Sequence, residues 1–168
     1  MTTITHICTG YLISQGLIVT GIVPSEIGHQ ITAVSIVTAN FPDIDIIGTI
    51  KKKNLMMHRE SRMHTPIYWL IAFILFISIF SYFNLTTLLT FSLISLVNII
   101  MHFIMDTYTP DSGIKWLAPF SNKEFGPLVM DIKPDSIYEA LKSYIKAPVF
   151  KYEFVFWVGT LIIKSKFF

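Results

Sequence analysis

Four of the five histidines in this 168-residue chain, His6, His58, His64 and His102, combine with Asp43, Asp45 and Asp106 into a set that has the composition of a metal site. Neutral imidazoles and carboxylates are the ligands from which Zn, Mn and Fe sites are built. Two groups within the set are compact. One is Pro42-Asp43-Ile44-Asp45; the other is His102-Phe103-Ile104-Met105-Asp106, followed at once by Thr107-Tyr108-Thr109-Pro110. Positions i and i+4 share a helical face, so His102 and Asp106 can point at one ion. That spacing suggests a metal site.

The elements that must position these residues are those of a membrane protein. The chain is 52% hydrophobic and 14% charged, with a mean hydropathy of +0.59, a balance that a soluble domain of this size would struggle to keep dissolved. About 20 apolar residues span a hydrocarbon core as a helix. Pro66 to Phe83 is uncharged, and Leu85 to Met105 is uncharged apart from His102, with only Asn84 between them. The two form a helical hairpin whose outer ends return to one side. Upstream, Ile7 to Val23, ended by Pro24, makes a weaker span, and Ile27 to Phe41 a shorter apolar segment. The expected architecture is all-α and polytopic, with about four transmembrane helices, and it gathers all seven residues at one membrane face. Lys51, Lys52, Lys53, Arg59 and Arg62 crowd the segment from Gly48 to Thr65, while the opposite turns carry no Lys or Arg. The positive-inside rule therefore puts the site on the cytoplasmic side of the inner membrane. The first apolar run lacks the basic n-region and small-residue cleavage site of a signal peptide.

A formal net charge of +2 and a basic run no longer than three lysines argue against nucleic acid as a partner. Cys8, alone in the chain, has no internal disulfide partner. After Asp106 the chain turns polar and is punctuated by Pro110, Pro119, Pro127, Pro134 and Pro148; Trp116, Leu117 and Phe120 are candidate interfacial anchors. Ser136 to Lys146 has the spacing of an amphipathic helix, and Phe154 to Ile163 is a short apolar run bracketed by Lys151 and Lys164. No internal repeat divides residues 1–168, which form a single domain.

Each candidate ligand also has a plainer reading. His6 could be a polar residue at the membrane surface, Asp43 a helix-capping carboxylate, His58 part of a solvated basic loop, and His64 a cap on the helix starting at Thr65-Pro66. His102 and Asp106 differ, because charge-bearing groups at the end of an apolar span are costly without partners or a function. His29 falls on the opposite membrane side and is left out.

Thr5-His6 and Gly10, Pro42-Asp43-Ile44-Asp45, His58-Arg59, His64-Thr65, His102-xxx-Asp106-xx-Thr109-Pro110 with Gly113, and Trp116-Leu117-Ala118-Pro119-Phe120-Ser121 follow one another in an order that closely resembles the membrane-bound metal-dependent hydrolase family, small inner-membrane proteins. The resemblance covers about residues 1–125, leaving 126–168 as an amphipathic and apolar C-terminal segment. Glu60 and Thr65 stand where members of that family often carry glycine and serine. A fainter similarity runs to zinc-dependent phospholipase C and P1 nuclease. The resemblance implies a divalent metal, zinc first and manganese or iron as alternatives, held by His6, Asp43, His58, His102 and Asp106. Asp45 and His64 are then further ligands or the general base, and Arg59 a fork for a phosphate oxygen. The implied activity is metal-assisted cleavage of a phosphate ester in a lipid or lipid-linked substrate. The alternative is a non-catalytic membrane protein that binds metal or a partner at the same face.

Overall fold

The computed structural model describes residues 2–45, 62–108, 113–126 and 137–167, and it is all-helical. Among the described residues the α-helices are α1 (Thr3–Val19), α2 (Gly28–Ala39), α3 (Pro66–Tyr82), α4 (Thr86–Thr107), α5 (Ile137–Lys146) and α6 (Pro148–Phe167). Short 3-10 turns at Ser25–Ile27, Phe41–Asp45 and Arg62–His64 link them.

Local chemistry sets the ends of these helices. The Thr2 hydroxyl accepts from the Thr5 amide and caps α1, which stops where Gly21 takes a φ of 70°. Pro66, at the first position of α3, needs no amide partner there. Asn84, at φ 54°, ends α3: the Leu85 amide donates back to Phe80 O and the Asn84 amide to Ser81 O, a Schellman closure that satisfies the last carbonyls. The hairpin at Asn84 thus appears where the sequence puts it. The apolar segment from Ile27 yields only twelve helical residues, about 18 Å at 1.5 Å per residue, because a 3-10 turn takes its start and another takes over at Phe41. Among the described residues one helix, α4 with 22 residues, is long and apolar enough to cross a membrane; α1 and α3 are shorter apolar helices.

The interior is polar and the exterior apolar. The buried face of α1 is Thr5, His6, Thr9, Gly10 and Ser14; that of α2 is Gly28, Ile31, Ser35 and Ala39; that of α4 includes Ser92, Ser95, Asn98, His102 and Asp106. All three recur at three- and four-residue steps, one stripe of a helix. Small residues there let backbones approach: a Cβ on Gly10 would lie 2.6 Å from Ser35 O and 3.1 Å from Ala39 Cβ. Helices α1 and α2 run antiparallel against each other, α2 lies along α4, and α3 packs on α4. Two apolar clusters complete the core. Val23, Ile31 and Ile94 fill the end near Pro24, and Phe73, Ile99, Phe103 and Ile114 lie beneath the other end.

Residues 113–126 fold back under the end of α4 through an Ile114–Phe125 bridge. Leu117 and Phe120 are exposed, as membrane-interface anchors must be, whereas Trp116 turns inward: its Nε1–H donates to Thr107 Oγ1 at 2.9 Å and its ring meets Phe103 edge-on. The tail forms helices at both predicted places, α5 and α6. Helix α6 runs longer than its apolar run, because Lys151, Glu153 and Lys164 all join it.

Candidate metal centre

The site forms where α1 begins and where α2 and α4 end. Because α1 runs opposite to the other two, three turns remote in sequence meet at one level: His6 from the first turn of α1, Asp43 from the 3-10 turn after α2, and His102 and Asp106 from the last turns of α4. His64 arrives from the 3-10 turn ahead of α3, a turn fixed by Trp69, whose Nε1–H donates to Met63 O at 2.7 Å.

One ligand atom from each of Asp43, His64, His102 and Asp106 lies within 4.8 Å of the others. His64 Nε2 is 3.2 Å from Asp43 Oδ1 and 3.9 Å from Asp106 Oδ2; His102 Nε2 is 3.6 Å and 3.7 Å from the same two oxygens. His6 lies outside that group of four. Its Nε2 approaches the other Asp106 oxygen, Oδ1, at 3.2 Å, and its ring stacks on His102 with centroids 4.0 Å apart. Asp106 therefore presents Oδ2 to one pair of imidazoles and Oδ1 to the third. His6, His64, His102 and Asp106 are all at most 2% exposed.

The donor set fits a divalent cation on two observations. First, His102 Nδ1 is 2.8 Å from Ala39 O; a carbonyl can only accept, so Nδ1 carries the proton and Nε2 keeps a lone pair directed into the cluster. Second, His102 Nε2 and both nitrogens of His6 are buried with no aligned hydrogen bond. An unsatisfied buried polar group costs about 1–3 kcal/mol, and His102 Nε2 lies within 3.7 Å of a carboxylate oxygen of both Asp43 and Asp106. Burial pushes the Asp43 carboxyl up, but His64 and the nearby His102 and His6 outweigh it and hold it below its usual value. It is ionised at neutral pH, as a ligand must be.

His58 and Arg59 lie outside the described residues, and so does the side chain of Asp45; its backbone belongs to the Phe41–Asp45 turn. His29 is exposed in the first turn of α2, at the end of the bundle away from the site. Sequence reasoning missed the groups that hold the ligands in place. Glu153 of α6, 2% exposed, accepts from the Thr2 amide at 3.2 Å, the Thr2 hydroxyl at 3.1 Å and Tyr144 Oη. Trp157 Nε1–H donates to Thr5 Oγ1 at 2.8 Å. Together they pin the first turn of α1, the residue before His6 included. A glutamate directly beside the start of an apolar run was the available signal, by the same cost argument that singled out Asp106.

Helices with polar inner faces, apolar outer faces and a buried histidine–carboxylate cluster at one end define a small helical membrane protein with a candidate metal centre. The chain belongs to the YdjM inner membrane protein family, whose profile matches residues 1–165. No curated protein and no solved structure matches it.

Proposed function

We propose that this inner membrane protein is a metal-dependent hydrolase with about four membrane crossings, its site open to the cytoplasm, acting on a phosphate ester of a lipid or lipid-linked substrate. One observation carries the reading: two histidines and two carboxylates from separate chain segments converge within 4.8 Å. When bound there, a divalent ion, zinc or else manganese or iron, supplies Lewis-acid polarisation of a phosphoryl oxygen and acidifies a coordinated water. Asp43, His64, His102 and Asp106 would hold it, with His6 on the second oxygen of Asp106 and His58 as a further ligand. The Ala39 carbonyl fixes the His102 ring and its tautomer. His64 Nε2 faces into the cluster, which favours a ligand role and leaves Asp45 as the acceptor of the attacking water's proton. Arg59, next to His58, offers a planar fork to a phosphate oxygen, which lysine cannot reproduce. The cytoplasmic orientation rests on the cations between Gly48 and Thr65.

The test is turnover of phosphatidic acid in detergent by protein purified without chelator. Multiple turnovers that cease on metal removal are expected. Arg59→Lys should keep its metal and lose about tenfold or more in rate, as removal of ~1.4 kcal/mol of transition-state stabilisation requires. Full metal occupancy without turnover on any phosphate ester would instead favour a metal-binding scaffold.

A further inference from the structure

A groove of about 460 Å³ runs between the start of α1 and the end of α2, walled by Ile7, Ile36, Val37, Phe41 and Ile44 and ending on Asp43. Its volume lies within the roughly 300–1,000 Å³ of small-molecule sites, yet its lining is almost wholly apolar. Two features say what fills it. Its walls are continuous with the exposed apolar surface of an inner membrane protein: Ile4, Ile7, Val37, Phe41 and Ile44 are each between 38% and 58% exposed. An apolar surface of that kind suits a hydrocarbon occupant better than a polar one. The groove's lining also runs along the chain from Ile36 and Val37, near the end of α2, to Asp43 in the turn beyond, so one occupant can touch both the apolar wall and the carboxylate. A lipid has a chain for the one and a polar head for the other.

We propose that this groove holds the head-proximal part of one hydrocarbon chain of a membrane lipid and delivers the lipid's polar head to Asp43. The carboxylate is the one group common to the groove and the metal cluster. A chain lying along Ile36 and Val37 places its first polar atoms beside that oxygen, so the substrate would enter sideways from the bilayer. The identity of the head as a phosphate rests on the hydrolase reading above; the seating of the chain does not.

The two are separated by photocrosslinking in vesicles of phosphatidylethanolamine and phosphatidylglycerol. The probe is phosphatidic acid with a diazirine near the head of one acyl chain, and the reference is diacylglycerol with the same chain. The expected result is labelling of Ile36, Val37 and Ile7 above that of Ile71, Ile74 and Leu75, which are more exposed than Ile7 but lie on α3, outside this groove. Val37→Trp, at a position 58% exposed and so free to accept bulk, should cut groove labelling roughly tenfold, the equivalent of losing burial of about two methylenes. Labelling equal on α3 and in the groove, or unchanged in Val37→Trp, overturns the proposal. Equal groove labelling by diacylglycerol and phosphatidic acid upholds the chain site and counts against the phosphate head.

Discussion

Helices α3 and α4 are neighbours in sequence, both apolar and joined by a single tight turn, yet they do opposite things. Helix α3 buries only Pro66 and Phe73, and its remaining surface is a coat of Leu70, Ile71, Ile74, Leu75, Phe76 and Ile79, each close to half exposed. Helix α4 buries eight residues, of which Ser92, Ser95, Asn98, His102 and Asp106 are polar. In water the apolar side of a helix marks its inner face. Here the polar side does, because lipid is as apolar as leucine and offers no reason to hide it, whereas a serine, asparagine or aspartate facing lipid has no partner. The difference teaches how to read such a chain: the polar positions in an oily helix locate its packing face and, at its end, its chemistry.

The comparison is broken most directly at the polar end of α4. Asp106→Ala and His102→Ala should each lower metal affinity by more than about 100-fold, beyond the ~10–100-fold cost of losing a group that only orients a ligand. Metal content after dialysis against a competing chelator measures this, with far-UV circular dichroism to verify that the helices persist. Variants that retain the parent's metal would mean that the buried polar stripe of α4 is packing alone. The inner face of α1 gives the next effect. Gly10→Val places carbon 2.6 Å from the backbone oxygen of Ser35, which no rotamer change relieves, so about 1–3 kcal/mol of stability should go as α1 and α2 separate. Gly16→Ala on the same helix meets nothing within 4 Å and should hold or gain stability. Equal melting temperatures for the two variants in detergent would show that α1 and α2 do not need their close approach.

The readable parts of the molecule were those in which one residue settles one question. Asn84 alone between two apolar runs marks the hairpin, and the four-residue step from His102 to Asp106 marks a shared face. Both stand in the structure. The short α2 was harder to foresee, because apolarity continues through Phe41 and Ile44 while the backbone has already tightened into a 3-10 turn that carries Asp43 into the site. Composition reports which medium a segment prefers and is silent on which kind of helix it makes. The partner of Trp116 was not legible for a related reason: an aromatic with a polar tip suits a membrane interface or a hydrogen bond within the protein, and only the fold brings Thr107 to its nitrogen. The Ala39 carbonyl and Glu153 lie beyond any spacing rule, since both act on segments far away in sequence.

The smallest effect belongs to the outer face of α3. Leu75 is 57% exposed, so Leu75→Ala opens no cavity: a lipid tail occupies whatever volume the side chain leaves, and only a few dispersion contacts change hands. The expected change in unfolding free energy is within ~0.5 kcal/mol, the ordinary range for a surface position, and the metal content should stay at the parental level. The measurement is steric-trap or denaturant unfolding in bicelles, in which lipid is present to fill the gap. A loss of about 2 kcal/mol or more would require protein rather than lipid against Leu75, as at a buried leucine. In that case α3 would have a polypeptide neighbour, its apolar coat would be an interface, and the contrast with α4 would be between two kinds of protein contact instead of between lipid and protein.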